Sequence, residues 1–307
     1  MDKNEKDAIP TYTLPSFYQI HKNDDFGDDF GLNNTSELIE NGFGLYSSVG
    51  SKPRMGPIRS EFYRLGIIKQ GNTVVDCGLE SYQLKPNSIF FTFPNQVFSI
   101  GEKSSDFLAF YILFTEEFIS NALSLKNFGE QFPFYNYESV QQIFLEETES
   151  LEIVELILKI NQEIKCRKSD IKQIIQLYLQ LILITANRSY TRQQLGEKEI
   201  SLDSELIRNF KKLVSLHFIL KRNVADYANL LNISPDHLNK TLRTQTGRTV
   251  RSCIEEMLLL ESKVLLMHTD LNVAEIAWQL AFTDPSHFNK FFKKLTSFTP
   301  LVYRNKK

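Results

Sequence analysis

"PDHLNKTLRTQTG", residues 235–247, indicates the architecture of the C-terminal part of the chain, because a closely similar segment, "PSHFNKFFKKLTS", follows at residues 285–297. The similarity continues upstream, where the segments that begin at Val224 and Val273 align once Asp284 is treated as one inserted residue. The chain therefore repeats a whole structural unit.

Each copy has the pattern of a helix-turn-helix unit. A small alanine in a short first helix allows a second helix to cross closely, and a turn and a capping residue precede the proline that starts that second helix. Two large apolar residues four positions apart give the second helix an inner face. The paired positions are Ala228 and Ala277, the turns 232–233 and 281–282, the caps Ser234 and Asp284, and the inner pairs Leu238 with Leu242 and Phe288 with Phe292.

The second helix of such a unit enters the DNA major groove. Amide and cationic side chains fall between the inner positions of both copies, so we expect them to face away from the core. Asparagine can pair with adenine, and lysine or arginine can reach guanine or phosphate oxygens. The predicted DNA-binding residues are Asp236, His237, Asn239, Lys240, Arg243 and Arg248 in the first copy, and Ser286, His287, Asn289, Lys290, Lys293 and Lys294 in the second.

Some of these assignments have alternatives. The Asp236 carboxylate fits the amino group of cytosine, but it can equally cap its own helix. His237 and His287 can be surface imidazoles that bond to neighbouring groups, and their recurrence can reflect the duplication alone.

Apolar and acidic residues, 249–270, join the two copies, with Thr249 as the predicted cap of a rigid spacer helix. Such a spacer can hold two recognition helices about 34 Å apart, which is one DNA turn, so that both enter successive major grooves. Linking two weakly binding helices in this way tightens binding to DNA, because once one helix is bound the other binds at a high effective concentration.

Charge is divided unevenly along the 307 residues. Residues 201–307 hold 16 lysines and arginines against 10 acidic residues, whereas residues 1–200 hold 19 against 27. The basic part predicts a polyanion partner, double-stranded DNA, and a solvated surface without a partner is the alternative. The composition, 42% hydrophobic and 23% charged, is that of a globular protein, and the length suits two domains.

Two patterns succeed each other before the repeat. Short β-rich runs between Phe43 and Phe114 are typical of an antiparallel β-barrel or sandwich. Helical stripes follow, and the broader one exceeds what one barrel face could shield, so we expect a homodimer interface within residues 150–190, with intramolecular packing as the alternative. The broader stripe comprises Ile171, Ile174, Ile175, Tyr178, Leu179 and Ile182. The polar residues 187–201, which come after this stripe, indicate a linker.

Residues 204–304 resemble the DNA-binding domain of the AraC/XylS family of bacterial transcription regulators. The resemblance rests on the two quoted segments, on the spacer between them and on the closing "TP..YR" at residues 299–304, which is close to a family signature. It implies a transcription activator that contacts RNA polymerase and responds to a small-molecule effector. Ala281 departs from the family, which usually has a turn glycine there, and a left-handed conformation would cost alanine about 1 kcal/mol.

Residues 62–100 resemble, more weakly, the cupin-like sensor barrel of that family. The predicted fold is therefore an α+β multidomain chain. A cupin-like sensor β-barrel with an N-terminal arm covers residues 1–120, a helical dimerisation and connecting segment covers 121–195, and an all-α domain of two helix-turn-helix units joined by a spacer helix covers 201–307. The candidate effector pocket comprises Tyr63, Tyr82, Phe91, Phe93 and Tyr111, with core packing as the alternative.

Enzyme classes find little support in the sequence. Metal-binding cupins need clustered histidines, yet the five histidines, at positions 21, 217, 237, 268 and 287, lie outside the barrel region, and Phe98 stands where such cupins place one. We expect no metal, no cofactor and no catalysis. The rival hypotheses are a ligand-binding cupin protein whose helical domain contacts other proteins, and a cupin enzyme with a vestigial regulatory domain.

The sequence also bears on location. The longest apolar run, Phe107–Phe114, is far shorter than the roughly 20 residues of a membrane helix. The N-terminus lacks the apolar core of a secretory signal, and three separated cysteines indicate neither a disulfide framework nor a zinc site. We expect a cytoplasmic protein that binds no membrane.

Overall fold

The structure, a computed structural model, describes residues 11–21, 35–120, 128–136, 139–166, 169–193 and 202–305. The chain divides into two compact units, a β-rich unit of Thr11–Met55 and Arg59–Lys198, and a helical unit of Glu199–Lys307 with Gly56–Ile58. Residues 1–10 of the predicted N-terminal arm and residues 194–201 of the predicted linker lie outside the described residues.

The strands form two sheets, with the orders β1-β8-β3-β6-β9 (the first sheet) and β2-β7-β4-β5 (the second sheet). All neighbouring strands of the first sheet run antiparallel. The predicted antiparallel β-domain is thus confirmed, although its strands divide between two sheets. The strands are β1 Phe43–Ser47, β2 Met55–Ile58, β3 Tyr63–Gln70, β4 Thr73–Cys77, β5 Glu80–Leu84, β6 Ser88–Thr92, β7 Phe98–Ile100, β8 Leu108–Phe114 and β9 Gln142–Phe144.

Six helices are described in the β-rich unit, with a 3-10 turn at Pro133–Tyr135. They are α1 Leu14–His21, α2 Ser36–Glu40, α3 Glu116–Ser120, α4 Phe128–Gln131, α5 Glu147–Cys166 and α6 Ile171–Arg192. The helical unit contains α7 Leu202–His217, α8 Val224–Leu230, α9 Pro235–Thr246, α10 Val250–His268, α11 Val273–Gln279, α12 Pro285–Thr296 and α13 Pro300–Arg304.

The first sheet is buried on both faces, because successive side chains of a strand point to opposite sides. On β3, Leu65 and Ile67 belong to a core shared with α5 and α6. Arg64, Gly66 and Ile68 line a cavity whose other wall comes from the second sheet. A single strand therefore contributes to a dry core on one side and to a cavity on the other.

Helices α5 and α6 bury much of the stripe that predicted a dimer interface. Ile175, Leu179 and Ile182 are fully buried in the core that includes the first sheet, and Ile171 and Tyr178 pack against it. The intramolecular alternative therefore accounts for these residues. Sequence alone underestimated how much apolar surface one face of a five-stranded sheet can cover.

Helix α6 continues to Arg192, whereas polar composition predicted a linker from residue 187. The reason is that its polar residues bond to α5. The Arg192 guanidinium donates to both carboxylate oxygens of Glu149, at 2.7 and 2.8 Å, and the Ser189 hydroxyl donates to one of them at 2.7 Å. These bonds hold the last turns of α6 against the start of α5.

Replacing Glu149 by Gln should reduce the free energy of unfolding by about 1 kcal/mol at pH 7, after allowance for the exposure of Arg192. The bonds from Arg192 and Ser189 hold the pKa of Glu149 at about 2, below its ordinary 4.5. Because the folded pKa is the lower one, this stabilisation is complete above the unfolded pKa and is lost as the pH falls through the folded pKa. Urea unfolding at pH 7 and near pH 2 measures it.

The difference between wild type and Glu149→Gln should therefore shrink in acid. Glu155→Gln is the matched control, because Glu155 pairs only with the exposed Lys159 one turn along the same helix. A difference of equal size at both pH values would contradict the assignment.

Candidate nucleic-acid interface

The first helix-turn-helix unit consists of α8 and α9. The Ser234 hydroxyl accepts a hydrogen bond from the His237 amide at 3.2 Å and caps α9, and Gly247 ends the helix with φ 71°. The cap predicted from the sequence is confirmed, and Ser234, not Asp236, provides it. Tyr227, Ala228, Leu238 and Leu242 are buried, and the Tyr227 ring packs edge-on against Phe210 of α7 at 5.6 Å.

The second unit, α11 and α12, repeats this construction with different side chains. The Asp284 carboxylate accepts hydrogen bonds from the amides of Ser286 and His287, at 2.7 and 3.0 Å. These bonds lower the pKa of Asp284. Ile276, Ala277, Phe288 and Phe292 form a separate core with Leu265, Leu266 and Leu280.

Both turns use one residue in the left-handed conformation. Asn232 has φ 54° and Ala281 has φ 53°, and the next amide in each copy donates back to the first helix. The two distances are 3.0 Å from Ile233 N to Ala228 O and 2.8 Å from Phe282 N to Ala277 O. The left-handed conformation predicted for the second turn is thus present on an alanine.

Replacing Ala281 by Gly should stabilise the helical unit by about 1 kcal/mol, because glycine adopts positive φ without steric cost. The matched control is Ala274→Gly, which places glycine in the ordinary helical backbone of the first turn of α11 and should destabilise. Denaturant unfolding checks both signs. Destabilisation by both substitutions would show that the turn carries no strain.

Nine of the twelve predicted DNA-binding residues are exposed. They share one surface of each second helix, away from the inner residues. On α9 these are Asp236, His237, Lys240 and Arg243, and on α12 they are Ser286, His287, Lys290, Lys293 and Lys294. The His287 ring also contacts its own unit, with Nδ1 2.8 Å from the Thr283 hydroxyl and 3.4 Å from the Asp284 carboxylate.

The other three predicted residues are half-buried and bonded within the domain, which corrects the expectation that all face outward. The Asn239 side-chain oxygen accepts from the Val250 amide at 3.2 Å, and the Asn289 side-chain nitrogen donates to the Pro285 carbonyl at 2.9 Å. Each asparagine directly follows a buried residue. One residue turns the helix by about 100°, so the asparagine lies between the buried and the exposed face. Arg248 pairs with Glu256 at 3.1 Å.

Sequence reasoning missed Thr244. It is exposed on α9 one turn after Lys240, and the repeat aligns it with Lys294 of α12. The register of the repeat could have found it, because the second copy already supplied the equivalent lysine.

Helix α10 contacts α9, α11 and α12. Its 19 residues correspond to a length of about 28 Å. The Thr249 hydroxyl accepts from the Ser252 amide at 3.1 Å and caps it as predicted.

The cavity of the β-rich unit, about 70 Å³, only partly coincides with the predicted effector pocket. Tyr111 lines it. Phe91, Phe93 and Tyr63 instead belong to the core facing α5 and α6, where the Phe91 ring stacks on Phe134 at 3.9 Å. Tyr82 packs against Phe90 at 5.3 Å. The alternation of β6 and β8 explains the difference, because neighbouring aromatic residues face opposite layers.

Across the described residues, no group of three or more His, Cys, Asp or Glu side chains could hold a metal ion. None of the helices described above combines the length and apolar character needed to cross a bilayer.

Two protein families match successive parts of the chain. The AraC-like ligand binding domain matches residues 45–191, and a helix-turn-helix domain matches residues 227–306. The HTH-type transcriptional activator RhaR of Enterobacter sp. (strain 638) is 27% identical over 49% of this chain and 53% of that protein. The lactose operon transcription activator of Staphylococcus xylosus is 25% identical over 52% of this chain and 56% of that protein.

The chain thus spans about half the length of the curated relatives it matches. Among solved structures, unsaturated fatty acid bound ToxT from Vibrio cholerae is similar with 18% identity and a TM-score of 0.42, over 85% of this chain and 94% of that one. With an AraC-like ligand-binding domain followed by a helix-turn-helix domain, the chain belongs to the AraC/XylS family of transcription regulators.

Proposed function

We propose that the protein is a sequence-specific DNA-binding transcription regulator that places α9 and α12 in successive major grooves. The observation that carries the proposal is the exposed cationic surface on each of these helices, whose opposite face is buried in the helical unit. Lys240 and Arg243 occupy that surface on α9, and Lys290, Lys293 and Lys294 occupy it on α12.

Within this proposal, two groups of side chains have different roles. The cations bind phosphates and provide affinity for any duplex, while the first-turn residues approach base edges and select the sequence. The first-turn residues are Asp236 and His237 on α9, and Ser286 and His287 on α12. Asn239 and Asn289 are better placed to fix the helices than to read bases, because their bonds lie inside the domain.

Selection of bound duplexes from random DNA by the full chain tests the proposal. We expect an enriched site with two unlike halves centred about 10 base pairs apart. Retention of random sequences without enrichment would contradict sequence reading. Absence of any DNA binding would favour the rival in which the helical unit contacts proteins.

We infer further that the protein activates transcription in the cytoplasm, contacts RNA polymerase and catalyses no reaction. Support comes from the relatives described as activators. A reporter placed downstream of the selected site should rise when the chain is expressed, and a fall would indicate a repressor.

We also propose that the protein forms a homodimer through residues 150–190. Part of α6 supports this, because Leu177 and Leu181 are 60% and 49% exposed, one turn apart, beside the half-buried Ile174 and Tyr178. On α5, Leu158 is also exposed. Apolar residues at this spacing form a stripe that a second helix can cover.

Replacing Leu177 and Leu181 by Lys should convert a dimer into monomers, because the pair would place two charges in an apolar contact. Sedimentation equilibrium measures the mass. Gln70→Lys with Gln83→Lys, two exposed positions outside 150–190, is the charge-matched control and should remain dimeric. A monomeric wild type, or a dimeric leucine variant, would contradict this interface.

A further inference from the structure

We propose that the cavity of the β-rich unit binds a small organic carboxylate with an apolar body, and that Arg64 is its anchoring residue. This inference rests on the proposed function only where it treats the bound carboxylate as the effector of a transcription regulator. The binding itself depends on the cavity alone.

Arg64 is a buried cation that contacts rings but lacks hydrogen-bond partners for its terminal nitrogens. Only 6% of the surface of Arg64 is exposed, and both terminal guanidinium nitrogens are buried without a hydrogen-bond partner. The guanidinium carbon lies 3.9 Å from the centre of the Phe98 ring and 5.2 Å from that of Phe17. Ring faces attract a cation, but they accept none of the hydrogen bonds that its planar fork offers.

The charge of Arg64 also lacks a counter-ion among the described residues. The titratable groups that interact with its charge are Tyr111, Cys77 and Tyr46, and burial raises the pKa of the Cys77 thiol, which keeps it neutral. Burial lowers the pKa of Arg64 to about 10, so the guanidinium remains charged at neutral pH. None of the described lining residues is Asp or Glu. A buried cation in this state favours an anionic ligand.

Lys103 adds a second positive charge to the cavity wall. Its ammonium group donates to the Ser51 hydroxyl at 2.6 Å and to the Lys52 carbonyl at 2.8 Å, and neither acceptor is charged. Burial lowers the pKa of Lys103 to about 8, so most of it is protonated at pH 7. Two cations and no Asp or Glu among the described lining residues give the cavity a positive potential.

The remaining lining limits the body of the ligand to apolar groups. Most of these side chains are hydrocarbon, among them Ile68, Val75, Phe90, Ile100 and Phe107. The volume of about 70 Å³ is about half of the roughly 150 Å³ that accommodates benzene, so the ligand is a short-chain acid.

The hydroxyl groups on the wall already have partners. Ser48 bonds to the Phe107 carbonyl at 3.3 Å and accepts from the Ala109 amide at 2.9 Å, and Thr73 donates to the Gly101 carbonyl at 3.2 Å. A polyhydroxylated ligand would therefore find few free partners here. A carboxylate accepts from the two terminal guanidinium nitrogens in a bidentate arrangement, and its hydrocarbon body packs against the apolar wall.

Thermal unfolding and calorimetry of the full chain test the inference, with propanoate and butanoate as probes and propanol and butanol as their neutral counterparts. At about 100 times its dissociation constant, a bound carboxylate should raise the unfolding midpoint by about 5 °C. The alcohols should bind at least tenfold more weakly. Equal binding of acids and alcohols, or no binding of either acid, would overturn the proposal.

Arg64→Met should abolish the carboxylate shift while the unfolding midpoint without ligand stays level or rises, because an uncompensated charge has been removed. Lys69→Met, on the same strand and outside the cavity lining, should retain the shift. Arg64→Lys keeps the charge without the fork and should bind about tenfold more weakly, which keeps the test decisive if the methionine variant fails to fold. Unchanged carboxylate binding by the lysine variant would overturn the anchoring role.

DNA binding by the same preparations separates the two proposals. A chain that binds its selected DNA but no carboxylate overturns this inference alone. A chain that binds carboxylate but no DNA supports the cavity assignment and overturns the proposed function.

Discussion

Replacing Lys240 and Lys290 together by alanine is expected to weaken binding to every duplex and to reduce its dependence on salt. Both lysines are exposed at equivalent positions of α9 and α12. Each phosphate contact releases about 0.9 of a counterion, so the slope of log affinity against log salt should fall by about 2. Between about 50 and 200 mM salt, the variant should therefore lose about tenfold less affinity than wild type does.

Fluorescence anisotropy on selected and unrelated duplexes, over a series of salt concentrations, measures both slopes. Lys159→Ala with Lys165→Ala, on α5, removes the same charge from the β-rich unit and is the matched control. The ratio between selected and unrelated DNA should stay nearly constant, because phosphate contacts carry no sequence information. A parallel salt dependence in variant and wild type would remove these lysines from the interface.

Replacing Arg222 by Ala is expected to reduce affinity for the complete site by about tenfold or more, while affinity for one half-site changes little. Arg222 precedes α8, and its Nε donates to the Ile219 carbonyl at 3.2 Å. Its guanidinium also donates to the Leu280 carbonyl and lies 4.4 Å from the centre of the Phe282 ring. These two residues flank the turn of the second unit, so Arg222 fixes one copy against the other.

The spacing of the two half-sites provides a sharper measurement. Inserting about half a turn of DNA, five base pairs, should abolish simultaneous binding by wild type, whereas the looser variant should tolerate the insertion better. Lys221→Ala is the adjacent control of equal charge. Wild-type sensitivity to spacing in Arg222→Ala would show that Arg222 does not fix one copy against the other.

The repeated segment carries most of what could be predicted about the helical unit. Ser234 and Asp284 each stand directly before a proline, which is the pattern of a helix start, and both cap their helices. The turn at Ala281 was identifiable because the first copy has asparagine there, which tolerates positive φ. Local chemistry determined these features, so one sequence sufficed.

Side chains on helix flanks and interior cavities were harder to predict. Asn239 follows a buried leucine, and the helix periodicity leaves such a position between solvent and a neighbouring helix. Its bond to Val250 depends on where α10 begins. Arg64 was missed for a similar reason, because a lone arginine in a β-strand normally indicates a solvent-facing position. Only the packing of two sheets brings it inside.

The two helix-turn-helix units lie in tandem along one chain, and their exposed positions differ, with Thr244 on α9 where α12 has Lys294. A tandem pair with unlike faces has no two-fold axis of its own, so its target has a head and a tail. Reversing that target relative to a promoter would turn the opposite end of the bound protein towards the start of transcription. An operator that holds a single such site should therefore function in one orientation only.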